Sequence, residues 1–207
     1  MPRDPKIPRE QILRTALDIV IRDGYPALTI KSLARALGCS TAPISWQFGG
    51  MEGLRRELVQ SACDHCAARW PRSARNALET FELTGRSFVA LALEEPNLFR
   101  FLYMGESGQR VEGGFWGLFD DGTIQQTRAQ LAEMLSLSQE AAGQFVSAMI
   151  LYTQGLSTMI AAGIVTDDRD TLRRMLHETG MVHLRGLGVP EETIVRLLPP
   201  RGADDPL

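Results

Sequence analysis

Nowhere in the 207 residues do about 18 apolar residues run together, so no membrane-spanning helix is expected. The opening stretch, Met1-Pro2-Arg3-Asp4-Pro5-Lys6, is charged and proline-rich where a secretory leader needs an apolar run. Cysteine is scarce. Cys39, Cys63 and Cys66 are too few and too odd in number for a fully paired disulfide framework, which fits a reducing cytoplasm. Val and Ile never alternate with polar residues over a useful length, so strands are not expected, and no fixed-period repeat is present. Catalytic signatures are missing too: the chain has no GxSxG, GxGxxG, HExxH or P-loop run. The adjacent acidic pairs Glu94-Glu95, Asp120-Asp121 and Asp167-Asp168 lie near helix ends and suit helix termini better than acid–base work. Neither enzymatic activity, nor a cofactor, nor a metal is expected.

What remains is an ordinary globular composition, 44% hydrophobic and 23% charged, in a chain long enough to bury a core unaided. Net charge is only −3, which argues against a general nucleic-acid coat. It is unevenly spread. Residues 1–60 carry nine Lys/Arg against six Asp/Glu, and residues 61–207 carry thirteen against nineteen. A basic head on an acidic body suits a protein whose head alone meets a polyanion, although a difference this modest also fits chance.

Apolar periodicity predicts helices almost throughout. Ile12, Leu13, Ala16, Leu17 and Val20 form a stripe on a first helix, Pro8 to Asp23, ended by Gly24. Thr29 caps a second, Ile30 to Leu37; Gly38 turns the chain, and Ser40 caps a third, Thr41 to Phe48, with Pro43 in its first turn. Longer helices follow: Met51 to about Trp70, Ser73 to Glu95, Asn97 to Met104, Gly122 to Leu137, Gln139 to Ala162 and Arg169 to Leu187. Five glycines between 105 and 120 read as a loop. The fold class is all-α, with about nine helices.

The second and third helices, joined by a glycine turn, make a helix-turn-helix. Ala34, Leu37, Ile44 and Phe48 face inward, which frees Thr41, Ala42, Pro43, Ser45, Trp46 and Gln47 for a major groove. Gln47 suits an adenine edge, and Thr41 or Pro43 a thymine methyl. Backbone N–H groups at the starts of both helices suit phosphate.

Arg9 to Ala16, then Asp23-Gly24, Leu28 to Ala34, and Ala36-Leu37-Gly38-Cys39-Ser40, continued by Ile44, Phe48 and Leu54, resemble the TetR family over residues 9–58. Ser87 to Phe101 is similar to a C-terminal domain type of the same family. The resemblance implies a DNA-binding transcription regulator, a cytoplasmic homodimeric repressor released from a palindromic operator by a small-molecule effector. It divides the chain into a head at residues 1–52, a helical ligand and dimer domain at 53–200 and a disordered tail at 201–207. Thr29, Lys31 and Ser40 then join the DNA-facing set. Three positions depart from the family pattern: Ser45 stands for a tyrosine, Gln47 for a histidine and Met51 for a lysine, followed by Glu52 and Gly53. The alternative is a ligand-binding or interaction protein of the same fold with a degenerate head.

The family's ligand cavity draws attention to Phe99, Phe101, Tyr103, Phe115, Trp116, Met149 and Tyr152, lining a partly apolar pocket, although core packing explains such residues as well. Its four-helix dimer bundle is carried to Phe145, Met149, Leu156, Met159, Leu172, Met175, Leu176, Thr179, Val182 and His183, on two helices apolar around much of their girth. Gly155, Ser157, Ala161 and Ala162 offer small surfaces for close approach. The other reading of these helices is that they are central in the monomer. Cys63-Asp64-His65-Cys66 has redox spacing but falls within one helix without further ligands, so structural cysteines compete with a thiol sensor.

Overall fold

The computed structural model describes residues 7–70, 74–108 and 122–198. Within them lie ten α-helices, one short 3-10 helix and no strand. The helices are α1 (Arg9–Asp23), α2 (Ile30–Leu37), α3 (Ala42–Phe48), α4 (Met51–Arg69), α5 (Ala77–Glu94) and α6 (Pro96–Tyr103), followed by α7 (Gly122–Leu135), α8 (Gln139–Ala161), α9 (Arg169–Gly186) and α10 (Glu191–Leu197). The 3-10 turn spans Tyr25–Ala27. The expected all-α class holds.

The helix ends show which local signals won. Thr29 caps α2 through a reciprocal box: the Ser32 amide donates to Thr29 Oγ1 at 3.0 Å, and the Thr29 amide donates to Ser32 Oγ at 2.8 Å. Ser40 does not cap α3. Thr41 holds that position without a side-chain cap, and the helix begins at Ala42. α5 begins at Ala77, not Ser73, because the Asn76 side chain takes the Glu79 amide at 2.9 Å. Pro96 opens α6, where its missing N–H costs nothing. α7 stops at Leu135, two residues before the expected Leu137, where Ser136 turns left-handed at φ 54°. α10 was not anticipated; seven residues behind Pro190 are too short for a clear period. The expected tail at 201–207 lies outside the described residues.

The chain divides into two compact units. The first joins Met1–Arg69 to Glu94–Gln109, and the second joins Trp70–Leu93 to Arg110–Leu207. By packing, α4 and α6 therefore belong with α1–α3. In this first unit α1 is central, meeting α2, α4, α6 and the 3-10 turn, around the buried Ile12, Ala16, Leu33, Ile44, Leu54 and Leu58. Asn97 of α6 ties down the end of α1 by donating to the Ile21 and Arg22 carbonyls at 3.0 and 3.1 Å. Phe101 packs its ring on Tyr25.

In the second unit α8 packs on α7 and α9, and α9 on α10. Its core contains Leu78 of α5 with Leu131, Leu135, Phe145, Val146, Met149, Met181, Leu184 and Ile194. Asp168 caps α9 by accepting the Thr171 amide at 2.7 Å, and that bond holds its carboxyl below the usual range. No helix among the described residues is long and apolar enough to cross a membrane.

Candidate nucleic-acid interface

Two residues hold α3 in place and four are offered to solvent. Ile44 and Phe48, one turn apart, are buried, so the opposite face must point outward. Thr41, Ala42, Ser45 and Trp46 are exposed there, and Pro43 is partly so. Trp46 is 86% exposed, an unusual setting for so large an aromatic in the absence of a partner surface. Thr29, Lys31 and Ser40 are exposed as well.

The rigidity of that face comes from its supports. Gly38 ends α2 in a left-handed turn at φ 66°, its amide and that of Cys39 donating to the Ala34 carbonyl. Ala34 is buried, whereas Leu37 is only half-buried, because the tight turn leaves it on the rim. Arg9, at the start of α1, reaches across: its guanidinium pairs with Glu57 of α4, donates to the Gln47 carbonyl and lies 4.1 Å over the Phe48 ring. Sequence reading saw Arg9 as part of a pattern and missed it as a clamp.

Gln47 sits differently from expectation. It is half-buried, and its amide donates to the Ile7 carbonyl at 3.1 Å, so that bond must break before Gln47 reads a base. Glu52, beside Met51 at the start of α4, pairs with Arg55 at 2.5 Å. That hydrogen bond holds its carboxyl below the usual range, and the same guanidinium donates to the Ser107 carbonyl.

Residues 12–58 match the family model described as bacterial regulatory proteins, tetR family. That segment, the helix-turn-helix head, is similar to the TetR family. The match is to a family of bacterial regulatory proteins and is confined to the head. Among solved structures, a TetR regulator from Rhodococcus sp. RHA1 is similar at 14% identity, 85% of this chain, 96% of that one and a TM-score of 0.48. The flavonoid-responsive regulator FrrA aligns at 21% identity, 84% and 93% coverage and 0.49. ActR of Streptomyces coelicolor, in complex with (S)-DNPA, aligns at 18%, 88% and 97%, and 0.47. No curated protein matches.

The expected ligand residues fall into two groups. Phe99 and Phe101 are fully buried in the first unit, where Phe99 packs on Tyr103 and Phe101 on Tyr25, so both are core side chains there. Burial raises the Tyr103 hydroxyl well above its ordinary range. Met149 and Tyr152 lie in the second unit, buried and half-buried. Phe115 and Trp116 are outside the described residues.

The expected dimer face also divides. Phe145, Met149, Leu156, Leu172 and Leu176 are buried inside the subunit, as are Ser157 and Ala161. Side chains spent on the subunit's own core cannot meet a second copy. Met159 and Val182 are exposed, while Met175, Thr179 and His183 are partly so. Leu151, Gly155 and Met159 continue an exposed line along α8, and Leu151 was missed in the sequence because it falls one position off the buried stripe.

Cys66 is buried, and burial raises its thiol to about 11; Cys63 is exposed but also raised, first by desolvation and then by Asp64. Neither is poised as a thiolate. His65, between them, bonds Glu95 at 3.0 Å, and Arg69 bonds both Glu95 and Glu94.

Proposed function

We propose that this protein is a cytoplasmic homodimeric repressor that leaves a palindromic operator when a partly apolar small molecule binds its helical body. The observation that carries the reading is the outward face of α3, with Trp46 bare while Ile44, Phe48 and the Arg9 clamp fix the helix from behind. A fixed helix with an uncovered face is what groove reading needs. Thr29, Lys31, Ser40, Thr41, Ala42, Pro43, Ser45 and Trp46 form the contact set, with Gln47 at its edge. The functional division into a head at 1–52 and a body at 53–200 is part of the proposal.

Dimerisation is assigned to the exposed line of α8 and α9: Leu151, Gly155, Met159, Met175, Thr179 and Val182. Val182 is 62% exposed, and an apolar line along two packed helices suits a second copy. A two-fold dimer presents two equal recognition helices, hence the palindrome.

Fluorescence anisotropy against DNA flanking the gene, at about 50 and about 200 mM salt, tests the reading. Saturable, sequence-selective binding that falls steeply with salt is expected. Trp46→Ala should weaken it about tenfold, as losing one groove contact does. Lys31→Ala should lower the salt slope by about one. Equal binding to random DNA, or none, would replace the proposal with a ligand-binding protein carrying a degenerate head.

A further inference from the structure

Inside the second unit lies a group of polar side chains that the fold does not satisfy. Arg86 of α5 is only 2% exposed. Its Nη2 donates to Glu82 at 2.7 Å, but its Nε and Nη1 are buried without any hydrogen-bond partner. Burying a guanidinium is costly unless its donors are met, so a charge held this way implies something that meets them. The Glu82 oxygen that takes Arg86 also faces His177 Nδ1 at 3.1 Å.

α8 carries further unmet polarity in the same unit. Ser157 of α8 has no exposed surface, and its Oγ has no partner. Thr153, one turn earlier on the same face, is also buried. It lies beside Gly85, where an added Cβ would be 3.6 Å from Thr153 Oγ1. α9 runs back along α8, with Gly180 against Met149, which puts His177 level with Thr153. Earlier on the same two helices, the Phe81 and Phe145 rings pack 5.8 Å apart between α5 and α8 and offer apolar surface.

We propose that Arg86 receives the carboxylate of the effector, with Ser157 and Thr153 as hydroxyl partners and the Phe81–Phe145 side taking its apolar part. This rests on the ligand-responsive reading above and adds the chemical class, an amphiphilic carboxylic acid. A carboxylate supplies what the site lacks, charged acceptors for the guanidinium protons that Glu82 leaves unmet. A doubly charged phosphate suits the site less, because Glu82 is already ionised: burial works against that charge, but the His177 bond and Arg86 outweigh it.

The test uses the whole protein with octanoate, 4-phenylbutyrate and 1-naphthoate, each matched to its primary amide, in thermal-shift and calorimetric titrations. The expected result is saturable stabilisation by at least one acid, at least tenfold tighter than its amide. Arg86→Met should abolish that preference and Arg86→Lys should keep part of it, with circular dichroism confirming native helicity in each. Should both variants misfold, the acid-to-amide ratio in the natural protein decides alone. Equal binding of acid and amide, no stabilisation by any acid, or a preference that survives in Arg86→Met would overturn the proposal. DNA release by a neutral compound without any acid response would sink the carboxylate and spare the regulator. Acid selectivity in a protein that binds no DNA would do the reverse.

Discussion

At Gly53 a side chain has nowhere to go. A Cβ there would overlap the Phe48 carbonyl oxygen, backbone that cannot swing aside as a flexible side chain would. The first turn of α4 thus packs directly on the last residue of α3, and the glycine permits it. Gly53→Ala should destabilise the head by about 1–3 kcal/mol, the usual cost of forcing atoms into a filled site. DNA affinity should fall as α3 shifts; chemical denaturation and anisotropy read the two effects. Thr29→Ala removes one half of the capping box and should cost about 1 kcal/mol, with Thr29→Ser recovering most of it.

Glu82 carries a pH consequence at the same scale. Its folded-state pKa lies below the ordinary 4.5, so it adds stability above that pH. The contribution is lost as pH falls from about 4.5 through the lower folded value. Acid denaturation of Glu82→Gln should be shallower over that interval than that of the natural protein. A parallel pair of curves would show that Glu82 carries no such linkage.

Among the elements, α8 and α9 combine two duties, and burial separates them. Leu172 has no exposed surface, whereas Leu151 is 46% exposed on the neighbouring helix. Leu151→Glu with Val182→Glu should give a folded monomer in sedimentation, and Leu172→Glu should lose helicity outright. A folded dimer from the double variant would send the two-fold contact elsewhere. The extent of these helices was legible because their periods run for many turns. Which face met the subunit and which met solvent was not, since α8 is apolar on both sides and periodicity alone does not rank two apolar faces. The head was more legible, because Thr29, Gly38, Ile44 and Phe48 each answer a local geometric need. Gln47 escaped because its partner, the Ile7 carbonyl, lies 40 residues away in the chain. Arg86 escaped as one arginine among many until its burial was known.

At the scale of the whole molecule the chain passes between its two units at 69/70, 93/94 and 109/110. That path divides the aromatic residues read from the sequence between the two units. Phe99, Phe101 and Tyr103 sit in α6, which returns to the first unit, while Met149 and Tyr152 remain in the second. Nearness in sequence and shared chemistry did not reveal the return. Arg69, at the first passage, is bonded to Glu94 and Glu95 at the second, so these two strands of chain are tied side by side. Arg69→Ala should therefore loosen the tie, with a modest fall in stability of about 1 kcal/mol or less expected of a partly exposed pair. Hydrogen exchange at the end of α4 and the start of α6 should rise if the tie matters, and unchanged exchange would show that it does not.

The bareness of Trp46 also makes the protein its own optical probe. An indole this open to water emits at long wavelength, and stacking or desolvation against a duplex would shift and dim that emission without any dye. Trp70 belongs to the other unit, its ring 5.9 Å from that of Phe88 on the helix that carries Arg86, and reports from a different setting. With Trp46→Phe as the spectroscopic blank, the Trp46 signal is separated from those of Trp70 and Trp116, and occupancy of DNA is followed directly.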